Sequence, residues 1–210
     1  MTIEVRLASP SDTNAVLALF DRAGVSCHCR YWHFEGTKND WLERCAFSSS
    51  KNADELAAAL RTKNRSEGTA LLALEGEVVR GWAKLFPKDA AHKLLRQGPY
   101  KSYCHTYTSD VWCIGCVLVD PQSRHRGIAR ALTLGLPAAG QALGAIALEA
   151  YPRVGHGPVA DEELWMGIAA HLEDAGFAAI AGESPYPVYA LTLPTNSRNE
   201  TPPPPPPQGS

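Results

Sequence analysis

The stretch that most restricts what this chain can fold into is VWCIGCVLVDPQSRHRGIARAL, residues 111–132. Its unbroken apolar run, 111–119, fits a strand buried on both faces. Asp120-Pro121 ends that run, because proline has no N–H to give to a ladder. Arg124, His125 and Arg126 follow, then Gly127, then a run of Ala and Leu that reads as a helix. A helix N-terminus presents N–H groups without intrahelical partners and about half a positive charge. A glycine there lets a bulky anion approach the main chain, and flanking arginines add charge-assisted hydrogen bonds. Pyrophosphate uses all three features. The pattern is neither GxxxxGK[ST] nor GxGxxG, which argues against a P-loop or a Rossmann nucleotide site.

The elements around this junction follow from periodicity and punctuation. Residues 2–8 alternate as a strand. Ser11 or Asp12 caps a helix with Val16, Leu17 and Phe20 on one face, ended by Gly24. Residues 25–50 read as irregular and 52–64 as a short helix. A hairpin joins strand 69–74 to strand 78–86 through Glu75-Gly76-Glu77. After the strand at 111–119, the helix from Gly127 meets Pro137, where a kink or early end is expected. Strand 144–152, helix 161–176 and a closing strand pair in 177–193 complete the order. That order predicts an α/β layered domain with a mixed sheet.

The chain has 210 residues and a formal net charge of −2. Length favours one domain over 1–195, with residues 25–50 as a Cys/His/aromatic insert. Residues 196–210 are polar and contain six consecutive prolines, which reads as a disordered polyproline tail. Nothing in the charge balance attracts nucleic acid or an anionic membrane. No apolar segment resembles a signal peptide or a membrane span, so a cytoplasmic location is expected. The six cysteines are then read as thiols.

At Arg124-His125-Arg126-Gly127-Ile128-Ala129 the chain resembles the GNAT superfamily, the GCN5-related N-acetyltransferases, whose signature is Arg/Gln-x-x-Gly-x-Gly/Ala. VLVDPQS before it is similar to that family's strand and turn. HLEDAGF, residues 171–177, is similar to its later helix ending in Gly-Phe. The resemblance covers nearly all of the folded part. It implies a mixed, mostly antiparallel sheet of six to seven strands flanked by helices, with a V-shaped splay between the two central strands. It implies acetyl-CoA as co-substrate, a primary amine as acceptor, no metal, and a monomer or homodimer. Carried onto this chain, the main chain of His125, Arg126, Gly127, Ile128 and Ala129 holds the pyrophosphate, with Arg124 and Arg130 nearby. Val117 and Val119 pair with the pantetheine arm, and one of their amides polarises the thioester carbonyl.

An alkylammonium must lose a proton before it attacks a thioester. Glu149, a carboxylate in an apolar strand, is the first candidate base and Asp110 the second. Asp120 reads as a turn residue. The family's tyrosine four residues before the Gly of Gly-Phe is Leu172 here, and a strand glutamate of some members is Cys113. Tyr151 or a thiol is the candidate substitute. These departures keep open a second reading, a catalytically silent module that only binds acyl-CoA.

The insert concentrates Cys27, His28, Cys29, Tyr31, Trp32, His33, Trp41 and Cys45. Cys-x-Cys is tighter than the usual zinc spacing, so a zinc- or redox-responsive protein is the weaker alternative. Tyr31, Trp32 and Trp41 are read as anchors of a long loop that also wall an acceptor pocket. Cys104, His105 and Tyr107 form a smaller cluster.

Overall fold

A computed structural model of the chain describes residues 2–101, 108–155, 157, 160 and 163–194. Cys104, His105, Tyr107 and the polyproline tail lie outside the described residues. Seven strands form one sheet among the described residues, in the order β1-β2-β3-β4-β5-β7-β6. They are β1 (Glu4–Leu7), β2 (Thr69–Glu75), β3 (Val78–Pro87), β4 (Val111–Val119), β5 (Ala147–Ala150), β6 (Ala178–Ala181) and β7 (Val188–Thr192). Every neighbouring pair is antiparallel except β4 with β5. The helices are α1 (Thr13–Ala23), α2 (Lys38–Phe47), α3 (Ser49–Thr62), α4 (His92–Leu95), α5 (Ile128–Ala142) and α6 (Ala169–Asp174). No described helix is long and apolar enough to cross a membrane.

The sheet carries a core on each face. On one face, Leu132, Leu136 and Ala139 of α5 pack with Leu71, Leu85, Trp112 and Ile114. On the other, Val16, Leu19 and Phe20 of α1 and Leu56 and Leu60 of α3 pack with Leu72, Trp82 and Cys116. The central strands β2, β3 and β4 therefore alternate between two apolar layers, and β4, apolar throughout, is buried on both sides.

Four elements differ from expectation. Residues 25–50 are not irregular throughout: Thr37 and Asp40 form a capping box that starts α2. Proline 137 neither kinks nor ends α5, which runs on to Ala142. Buried Leu132 and Leu136 before it and Ala139 and Gly140 after it hold the helix to the sheet across the missing hydrogen bond. Strand β5 is short, since Tyr151-Pro152 follows it and proline cannot continue a ladder. The last helix, expected over 161–176, forms only at Ala169–Asp174, because the chain before it runs against β4 instead.

Candidate functional site

Pairing between β4 and β5 stops at Ile114 and Ala150, while β4 continues to Val119. On its other side β4 keeps pairing with β3, with one extra residue at Gly115: Leu85 faces Ile114 and Lys84 faces Cys116. This bulge needs glycine, since a Cβ at 115 would come within 2.2 Å of the Phe86 ring. Trp32 holds it from the insert by donating its Nε1–H to the Gly115 carbonyl at 2.7 Å. The two central strands thus splay apart at Gly115–Val119.

A cleft of about 780 Å³ opens there, within the usual range for small-molecule sites. One wall is β4 from Cys116 to Val119. The others are the end of α1 from Phe20 to Val25 with Cys27, the junction before and at the start of α5, and the Leu164–His171 region. No carboxylate is among the described residues that line it, whereas Arg124, His125 and Arg130 do.

The floor of the cleft is the strand–helix junction. Asp120 caps the short 3-10 turn Pro121–Ser123 by accepting from the Gln122 amide at 3.1 Å. It is 1% exposed and also accepts from Arg22 Nε and Arg80 Nη1, each at 3.0 Å. Burial pushes the Asp120 carboxyl up, but the hydrogen bonds from Arg22 and Arg80 outweigh burial and hold it below the usual range. Asp120 is therefore the turn residue expected of it, with two arginines anchoring the turn to α1 and β3. Beyond it His125 adopts φ 57° and Gly127 φ 79°, and a Cβ at Gly127 would meet nothing within 4 Å. Left-handed residues here turn successive amides toward one side. The first-turn amides of α5 follow.

Val117, Val119, Arg124, His125, Gly127, Ile128, Ala129 and Arg130 all line the cleft. Arg126 does not; its guanidinium pairs with Glu75 at the end of β2. The Val117 amide is not free to pair with an incoming arm. It donates to the Trp165 carbonyl at 2.6 Å, so the segment before α6 lies in the splay. The Trp165 ring stacks on Trp32 with centroids 5.5 Å apart.

None of the three candidate acid–base groups lines the cleft. Glu149 is 8% exposed and both oxygens are taken: Lys88 Nζ donates to Oε1 at 2.7 Å and the Tyr151 hydroxyl to Oε2 at 2.6 Å. The buried carboxylate thus has the partners that a charge in an apolar strand requires. Tyr151 is fully buried, with its hydroxyl also 3.5 Å from Cys113 Sγ. Asp110 is exposed just before β4 begins, six residues and about 20 Å along the strand from Cys116.

The aromatic residues of the insert do not wall the cleft either. Trp32 and Trp41 are buried. Tyr31 packs edge-on against both, and the cation over its ring is the chain's own Lys93, 4.4 Å from the centroid. Among the insert thiols, burial pushes Cys27 up to about 12 and drives Cys29 well above the usual range. Among the described residues no group of three or more His, Cys, Asp or Glu is placed to hold a metal ion.

Two residues that line the cleft, His171 and Cys116, had no role in the sequence reading. His171 lines the cleft, and burial and then Arg130 push its pKa down, so it is neutral at pH 7. Its place one residue before Leu172 in the Gly-Phe helix was the available signal. Cys116 and its buried cross-strand neighbour Lys84 carried none, because their pairing depends on the bulge.

A model of the acetyltransferase (GNAT) family matches residues 34–155, more than half of the chain. The fold is similar to that of an N-acetyltransferase from Staphylococcus aureus Mu50, with TM-score 0.52 and 20% identity over 92% of this chain and 100% of that one. It is similar also to an acetyltransferase of the GNAT family from Streptococcus pneumoniae, with TM-score 0.51 and 14% identity over 92% and 100%. Aminoglycoside acetyltransferase AAC(6')-Ib, solved in complex with coenzyme A, matches with TM-score 0.51 and 14% identity over 91% and 95%. No curated protein matches significantly. With its family match, its seven-stranded sheet and its splayed central pair, the chain belongs to the GNAT acetyltransferase family.

Proposed function

We propose that the chain is an N-acetyltransferase that moves an acetyl group from acetyl-CoA to a primary amine. The observation that carries this reading is the cleft itself, which joins a strand edge that β5 leaves without a partner strand to an open, arginine-flanked helix start. The main chain from His125 to Ala129 cradles the pyrophosphate, and Arg124 and Arg130 neutralise it from the rim. The absence of a side chain at Gly127 leaves room for that approach. The edge of β4 at Val117 and Val119 receives the pantetheine arm once the Trp165 carbonyl gives up the Val117 amide. That amide then stabilises the charge that develops on the thioester oxygen. Neutral His171, on the same wall, is placed to accept the proton that the attacking amine sheds and to pass it to the departing thiolate.

A silent acyl-CoA-binding module is the second reading. It is favoured by the lack of a carboxylate among the described cleft residues and by Leu172, which is buried in the core where the family often has tyrosine. A panel of primary amines incubated with acetyl-CoA and the full chain, with release of free thiol measured, separates the two. The enzyme releases thiol only with particular amines present. A module that binds acetyl-CoA yet releases none with any amine contradicts transfer.

A further inference from the structure

We propose that Glu75, at the end of β2, is a positioning residue for the acyl donor: it clamps the Arg126 side chain and so holds the cradle amides in the shape that receives a diphosphate. The inference rests on the reading of the cleft as an acetyl-CoA site.

The cradle turn needs support from outside itself. His125 at φ 57° and Gly127 at φ 79° are both left-handed, with Arg126 between them. Glycine takes such a conformation freely. A residue with a Cβ keeps it only where its surroundings fix it. Successive amides converge on one anion only while the turn keeps its shape. The side chain of the middle residue is a handle by which the turn can be held.

Glu75 takes that handle from outside the cleft. Arg126 donates from Nη2 to Glu75 Oε1, and from Nη1 to Oε2 at 3.4 Å. Such a forked pair fixes direction as well as distance. The Glu75 side chain is only 10% exposed, and its backbone pairs with Val78 across the β2–β3 hairpin. Arg80 Nε lies 3.3 Å from Glu75 Oε2, an ion pair without hydrogen-bond alignment. Nη1 of the same guanidinium donates to Asp120 Oδ2, which also accepts from Arg22. Arg22, Asp120, Arg80, Glu75 and Arg126 therefore form one chain of alternating charge. It grips the cradle turn at both ends, at Asp120 before Pro121 and at Arg126 before Gly127.

Two roles for Arg126 lead to opposite results. If Arg126 bound the phosphates itself, Glu75 would compete with them, and removing its carboxylate would strengthen binding. If the pair sets the turn, removing the carboxylate weakens binding. The second role fits the cleft, which Arg124 and Arg130 line and Arg126 does not. The Arg126 side chain is 44% exposed, and ion pairs at such sites contribute little to folding. The clamp is thus read in ligand affinity and not in unfolding. Its benefit is a turn already ordered before the diphosphate arrives.

The test is calorimetric titration of acetyl-CoA, and separately of inorganic pyrophosphate, into the full chain and into Glu75→Gln, Arg126→Met and the double variant, with urea midpoints measured for each. Glu75→Gln is expected to bind acetyl-CoA about tenfold more weakly, the worth of one charge-assisted hydrogen bond. Arg126→Met loses the same factor, and the double variant loses no more than either, because the two residues act as one unit. Pyrophosphate weakens in parallel, and the urea midpoints stay near the native value. Tighter or unchanged binding by Glu75→Gln, or losses that add in the double variant, overturns the proposal and leaves the cleft reading standing. A urea midpoint that falls along with affinity assigns the pair to the fold and overturns it too. Failure of the native chain to bind acetyl-CoA overturns both.

Discussion

The Val117 amide and the Trp165 carbonyl are joined by a 2.6 Å hydrogen bond across the gap that opens where β5 ends. The strand edge that a β-like ligand would use is therefore already engaged, by the chain's own segment ahead of α6. Trp165 is held there by its ring, stacked on Trp32, and Trp32 is pinned in turn to the Gly115 carbonyl. The insert and the cleft are coupled through this pair of rings.

Removing the Trp165 ring should loosen that segment without removing its carbonyl. An aromatic stack of this kind is worth about 1 kcal/mol, so Trp165→Ala is expected to tighten acetyl-CoA binding about fivefold. Calorimetry on both proteins checks it. In the native protein, acetyl-CoA should also change tryptophan fluorescence as the stack parts.

Asp120 ties the cradle turn to α1 and β3. Asp120→Ala leaves Arg22 and Arg80 without their buried acceptor, with an expected loss of about 3 kcal/mol in urea unfolding. The wild-type contribution is complete above the unfolded carboxylate value of 3.8 and is lost as pH falls below it, since the folded carboxyl is held lower. The stability difference between wild type and Asp120→Ala should therefore shrink in acid.

Glu149 acts within a buried ion pair. Lys88→Met strands its carboxylate and should cost about 3–5 kcal/mol, much of it recovered in the double variant Lys88→Met/Glu149→Leu. Glu149→Gln should lower turnover equally at pH 7 and pH 9. A deficit that vanishes at pH 9 would return Glu149 to the role of base.

Lys84 has the opposite effect on stability. Its folded pKa of about 8 lies below the ordinary 10.5, so the unfolded chain binds more protons between those values. This group therefore makes stability rise as pH goes from about 8 to 10.5, with its full cost felt below 8. Lys84→Met should stabilise the protein at pH 7 by up to about 3 kcal/mol, read from urea midpoints.

The apolar run 111–119 and the basic junction after it were legible because each is a local pattern: continuous burial, a proline stop, then a helix start. The alternation that placed β1, β2 and β3 is equally local. Helix α2 was also written in the chain, in Thr37 and Asp40, but the density of thiols and rings around it drew attention away from the cap. What stayed hidden was non-local. Glu149 finds Lys88 sixty-one residues away. Lys84 meets Cys116 only because one extra residue at Gly115 resets the register. The capture of Val117 by Trp165 depends on a segment whose acidic lead-in read as helix.

The central claim is that a diphosphate docks on the main chain at the start of α5. Calorimetric titration of acetyl-CoA into Gly127→Glu tests it most directly, with circular dichroism confirming the fold. Gly127 already has an open approach and a left-handed φ, so glutamate adds some local strain and sets a carboxylate where phosphate oxygens are to sit. The expected result is binding by the native chain and none measurable by the folded variant. Equal affinity in the two proteins would contradict the account.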